Sequence, residues 1–205
     1  MRIAVIGACA SSKTHPYQEK TMNKNLLSLA LVATAAVTFF AGCASTPMMA
    51  SYNQDAMPAS VKVPAGHRVA MEAVGVGETA YECREKKDAA GQYEWVFLGP
   101  EAVLNDRCGK KIGSYFGPPA TFENMDGSKV VGVQMAVSPS SPGNLPIQLA
   151  KANPTTGSGA MVGVTYVQRV NTKGGVAPAT ACGMATKGDL QKVKFQADYI
   201  FYKAG

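Results

Sequence analysis

From about residue 64 onward, apolar and polar residues alternate with a period of two in several short runs. Side chains on a strand point to opposite faces in turn, so such runs predict half-buried β-strands. Residues 192–202 are the clearest case. There Val193, Phe195, Ala197, Tyr199 and Phe201 alternate with Lys194, Gln196 and Asp198. In the run over 93–98, Tyr93, Trp95 and Phe97 share one face. In the run over 80–84, Tyr81 and Cys83 share a face opposite Glu82 and Arg84. Residues 69–74 form a further strand pattern, separated from 80–84 by a glycine-rich break. Residues 159–170 form another, with Val162, Val164, Tyr166 and Gln168 in phase. Asp126-Gly127 lies between two extended runs and predicts a hairpin, because glycine reaches positive φ without steric cost. Short helical turns are expected over 100–104 and 145–152. The pattern as a whole predicts an all-β domain, an antiparallel sandwich or distorted barrel with short helical turns.

The chain before residue 64 has a different character. Lys24 precedes a nearly unbroken apolar run over 26–40, and Ala41, Gly42 and Cys43 follow. The run has the length of a signal-peptide core and is short for a bilayer span. With its cysteine it resembles the lipobox of bacterial lipoproteins, with Phe40 where leucine is usual. The resemblance implies a signal helix over 22–42, cleavage before Cys43, and acyl chains such as palmitate on that cysteine. Two or more chains hold a protein stably on a membrane. Ala44 stands where aspartate would favour the inner membrane, so the outer membrane is the expected location. Residues 43–63 are rich in Ala, Ser, Met and Pro, and are expected to form a flexible tether to a single β-rich domain over 64–205. Residues 1–21 read as a mis-called upstream extension, with Met22 as the true start. Their strand-like opening lacks the glycine fingerprint of a dinucleotide site.

Charge narrows the functional classes. The net charge is +6, and residues 1–42 supply four basic residues against one acid. From Cys43 onward 16 basic residues face 13 acidic ones, and the basic ones are scattered. A nucleic-acid interface needs a concentrated basic patch with stacking aromatics, so none is expected.

Candidate chemistry is sparse. His67 is the single histidine after Cys43, and no C-x-x-C pair occurs, so neither a metal site nor a cofactor is expected. No G-x-S-x-G elbow is present and no catalytic residue is assigned. Arg169 stands beside Thr172-x-Gly174-Gly175, a stretch that reads in two ways. Its backbone N–H groups could receive an anion, or it is a tight turn after a strand. Arg169, Thr172, Gly174 and Gly175 are therefore the candidate ligand contacts. The aromatics Tyr93, Trp95, Phe97, Tyr166, Tyr199 and Phe201 are expected in the core rather than on a binding platform. Cys83, Cys108 and Cys182 allow three single pairings in an oxidising compartment, where disulfides persist.

A longer pattern runs through the domain. Tyr81-x-Cys83, Trp95, Pro100-x-Ala102-x-Leu104, Gly117-Pro118, Asp126-Gly127-Ser128, the block over 168–178, Cys182 and Tyr199-x-Phe201-Tyr202 occur in that order. Together they resemble the domain-of-unknown-function family 3455, found in bacterial envelope proteins and secreted fungal proteins. The resemblance spans nearly the whole domain and implies a Cys83–Cys182 disulfide, with Cys108 left over. It implies no established activity. Tyr115, Phe122 and the segment over 145–150 depart from that pattern, which has His and Trp at the first two positions. The expected protein is a non-enzymatic binding or structural module of the cell envelope. Its expected partners are the membrane, through the lipid on Cys43, and an unknown envelope ligand or protein. The alternative is a hydrolase-like enzyme of the envelope or extracellular space with an unrecognised site.

Overall fold

The computed structural model describes residues 53–155 and 158–205. The expected signal peptide, Cys43 and residues 43–52 of the expected tether lie outside that set. Eight antiparallel strands follow one another in sequence: β1 (His67–Glu85), β2 (Tyr93–Asn105), β3 (Lys111–Phe116), β4 (Thr121–Asn124), β5 (Lys129–Ser138), β6 (Ile147–Ala152), β7 (Val164–Gly174) and β8 (Leu190–Ala204). Each pairs with its neighbour in the chain, and β8 returns to pair with β1, so the sheet closes into a barrel. Closure leaves no open edge strand, which resolves the expected sandwich-or-barrel alternative.

The glycine-rich break expected after residue 74 is absent, and β1 runs unbroken for 19 residues. Its glycines make room instead of turning the chain. A Cβ on Gly75 would stand 2.5 Å from the Tyr199 ring, and one on Gly77 would stand 2.0 Å from Glu101 O. The helical turns expected over 100–104 and 145–152 are also corrected, since β2 and β6 occupy those segments. Cross-strand pairing and burial override local composition there, as is common in sheets. The Asp126-Gly127 hairpin does join β4 to β5, with Gly127 at φ 86.

The barrel interior is packed with Ala73, Leu104, Val130, Met161, Val164 and Phe201, all buried. A second, smaller cluster lies on the opposite side of the sheet, where Val170, Ile200 and Tyr202 are buried against Met57 and Val63. Residues 53–63 provide that cover. They form two short 3-10 turns, Gln54–Ala56 and Ala59–Val61, and Val61 is fully buried. Gln54 Nε2 donates to Gln168 Oε1 at 3.0 Å and to the Tyr202 hydroxyl at 2.7 Å, while Gln168 Nε2 donates to Val61 O at 2.7 Å. The flexible-tether expectation is thus corrected for its last stretch. Those residues dock because they offer apolar side chains and because Gln168 is a buried amide that needs partners. The same cover explains why β8, half-buried by pattern, is buried on both faces from Ala197 to Tyr202.

Phase shifts matter along β7. The register slips between Val164 and Tyr166, so Val164 and Val167 both join the interior while Tyr166 packs on the outer cluster. A one-residue insertion flips the side chains beyond it to the other face. In this way Arg169, two residues after Val167, comes to line the inside of the barrel.

Candidate binding cavity

One end of the barrel is not filled. A cavity of about 410 Å³ opens there. Its floor is Phe122, Ala150, Val167 and Tyr199, and its rim carries Tyr81, Phe97, Pro118 and Leu145. Gln134 and Gln148 face it from β5 and β6, joined by a hydrogen bond of 2.6 Å. A barrel of eight strands is just wide enough to be filled by side chains or to hold one small ligand. Small residues on the inner face, Gly132 and Ala150 among them, leave the second outcome open at this end.

Aromatic rings build the walls. Tyr115 from β3 stacks on Phe122 from β4 with centroids 4.3 Å apart, and Tyr199 from β8 leans on both at 5.0 and 5.1 Å. Tyr81 meets Phe97 edge to face at 5.7 Å. Of the aromatics expected in the core, Tyr199 and Phe201 are there. Phe97 is not, being 51% exposed at the cavity rim. Trp95 sits outside the core, its Nε1 donating to Thr180 O at 2.9 Å.

Arg169 is the one permanently charged group on the cavity wall, and no His, Asp, Glu, Cys or Lys lines it. Its Nε donates to Pro146 O at 3.2 Å, which fixes the plane of the guanidinium. None of the ion pairs among the described residues involves it. The three cavity tyrosines feel its charge. Burial pushes the phenols of Tyr81 and Tyr115 up, and Tyr199 well above the ordinary tyrosine value, while Arg169 pulls each the other way. All three are therefore neutral O–H groups at physiological pH. The Tyr81 hydroxyl is already engaged, donating to Gly175 O at 2.7 Å. The Tyr199 hydroxyl is buried and closes no hydrogen bond of sound geometry, although Tyr115 and Arg169 stand within loose hydrogen-bonding reach of it.

The other candidate ligand contacts lie elsewhere. Thr172 Oγ1 donates to Leu145 O, Gly174 N–H donates to Asn144 Oδ1 at 2.7 Å, and Gly175 O accepts from Thr79 and Tyr81. Gly174 and Gly175 both have positive φ. Their polar groups fasten the end of β7 to the loop over 139–146, and none of the three lines the cavity. His67 is also remote from it, with Nδ1 near Pro64 O and its ring edge-on to Tyr166. No group of three His, Cys, Asp or Glu able to hold a metal occurs among the described residues. A broader, more open groove of about 970 Å³ crosses β1, β2 and β3, but mixed charges line it and Lys192 there pairs with Glu78.

Cys83 and Cys182 form the disulfide that the resemblance implies, with Cα atoms 5.5 Å apart. It ties β1 to the β7–β8 connection beside the cavity-lining Tyr81. Cys108, in the β2–β3 turn, has a bonding partner of its own and is not the spare thiol expected from that pairing.

Fold and site together define a closed eight-stranded antiparallel barrel with an aromatic-walled cavity at one end and one arginine on its wall that has no acidic partner among the described residues. The chain belongs to the family described as protein of unknown function (DUF3455), whose sequence pattern matches residues 64–203. No curated protein and no solved structure matches it. Tyr115, Phe122 and Ala150, where this chain departs from the expected family pattern, are cavity residues. Sequence reasoning singled out Arg169 and placed Tyr199 inside but did not assemble the remaining wall, because the inner face of a barrel is built from every strand and no local spacing marks it.

Proposed function

We propose that this protein is an exported, lipid-anchored binding module of the cell envelope that holds a small ligand in the open end of its barrel. The carrying observation is the cavity itself: a hole of about 410 Å³ in an otherwise packed interior, walled by aromatic rings and entered by one arginine. Ligand sites are concave, mostly apolar and furnished with a few fixed polar groups, and volumes of roughly 300–1,000 Å³ are typical. The chemistry of the wall favours binding over catalysis. General acid–base catalysis needs a group that exchanges protons near the working pH. The cavity offers only an arginine and phenols raised above their usual range. The export half of the proposal rests on the segment over 22–43, with acyl chains on Cys43 and the outer membrane as destination.

Two measurements test the two halves. Neutral aromatic fragments such as benzyl alcohol should shift the methyl resonances of Ala150 and Val167 in the full chain and leave those of Val61 unmoved. Unperturbed cavity methyls would remove the binding reading. In the producing bacterium, labelled palmitate should enter the protein and be lost on Cys43→Ser. Label persisting in that variant would remove the anchor.

A further inference from the structure

Resting on the reading of the cavity as a ligand site, we infer that the ligand is a small monocarboxylate with an apolar body, its carboxylate held by Arg169. Two independent observations converge on this. Arg169 is a half-buried cation with no acidic partner among the described residues; its guanidinium meets only the Pro146 carbonyl and the Tyr199 hydroxyl. A partly desolvated charge gains from pairing, so the cavity favours an anionic group beside Arg169. The second observation is the Tyr199 hydroxyl, whose residue is 1% exposed and whose oxygen has no hydrogen-bond partner. It lies against the same guanidinium, where an anion held by Arg169 would give it an acceptor.

The walls disfavour a dianion. A phosphate monoester carries close to two charges at neutral pH, and one arginine between aromatic rings neutralises only one. The planar guanidinium, with its Nε held by Pro146 O, presents the fork that matches a carboxylate. The remaining surface, from Phe97 at the rim to Phe122 and Val167 at the floor, asks for an apolar body. Inorganic anions and sugar acids do not supply one.

Hydrocinnamate and its uncharged counterpart, hydrocinnamyl alcohol, provide the test, titrated calorimetrically into the full chain held in zwitterionic nanodiscs. The acid should bind about tenfold or more tightly than the alcohol at neutral pH, as expected of charge-assisted over neutral hydrogen bonds. Arg169→Gln should abolish that preference, so that acid and alcohol bind the variant with the same affinity. Arg169→Lys, which keeps the charge but not the fork, should restore only part of it. Gln134→Trp, at the exposed mouth, should block both probes. If Arg169→Gln fails to fold, Tyr199→Phe carries the test and should narrow the acid's advantage over the alcohol several-fold. Equal binding of acid and alcohol by the parent, or a preference that survives Arg169→Gln, would overturn the carboxylate assignment while the cavity reading stands. Binding of neither probe, with cavity methyls also unmoved by neutral fragments, would overturn both.

Discussion

Replacing Tyr199 with phenylalanine should make the empty protein more stable. The substitution removes one oxygen and keeps the ring, so the contacts at 5.0 Å to Tyr115 and 5.1 Å to Phe122 survive. What disappears is a buried hydroxyl without a hydrogen-bond partner. Burying such a group costs roughly 1–3 kcal/mol by protein mutational measures. The Arg169 guanidinium and the Tyr115 hydroxyl, both close to that oxygen, return part of the cost through loose polar contacts. A net gain of about 1 kcal/mol is the expectation, or about 2–4 °C in Tm for a domain of this size. Urea unfolding should show a higher midpoint with an unchanged slope, because the surface exposed on unfolding hardly changes. A loss of about 1 kcal/mol or more would mean that the hydroxyl has a real partner in the empty protein, and the reasoning would fail. The same variant should bind hydrocinnamate more weakly. A site kept at the expense of stability is the usual relation between function and packing.

Two further outcomes are expected. Replacing Cys83 and Cys182 together with alanine should lower stability by about 4 kcal/mol, since the bridge spans 99 residues of chain and restrains the unfolded state accordingly. A loss below about 1 kcal/mol in denaturant titration would show that the tie to the β7–β8 connection is dispensable. The second concerns acid. The Ser128 hydroxyl, then the Ala160 and Ser128 N–H groups, hold the Asp126 carboxyl below the ordinary carboxylate range. Its folded pKa lies below its unfolded one. The stability it contributes is therefore complete above the unfolded value and is lost as pH falls through the folded value. Asp126→Asn should be less stable at neutral pH and show a shallower decline in acid, and identical acid limbs would contradict that.

Much of the fold is legible along the chain because strand alternation and hairpin turns are local. Phe195, Ala197, Tyr199 and Phe201 face inward as their spacing says, and Asp126-Gly127 turns where its residue types require. Errors arise where local composition and tertiary packing disagree. Gly75 and Gly77 read as a break but serve as clearance for Tyr199 and for the neighbouring strand. Residues 53–63 read as a tether but carry Val61 and Gln54, which cover the outer face of β7 and β8.

The sequence by itself determined an all-β domain, the identity of the bridged cysteines through a family resemblance, and Arg169 as the basic residue worth following. It also determined the scarcity of acid–base groups, which depends on composition alone. Only the tertiary structure decided that the sheet closes on itself, because closure depends on β1 meeting β8 across the whole length of the domain. Only the tertiary structure separated Arg169 from Thr172, Gly174 and Gly175, its neighbours in sequence. A register slip in β7 turns the arginine inward, while the glycines spend their backbone groups on the adjoining loop. A cavity is the space that packing fails to fill, and that shortfall is a property of eight strands together rather than of any one of them.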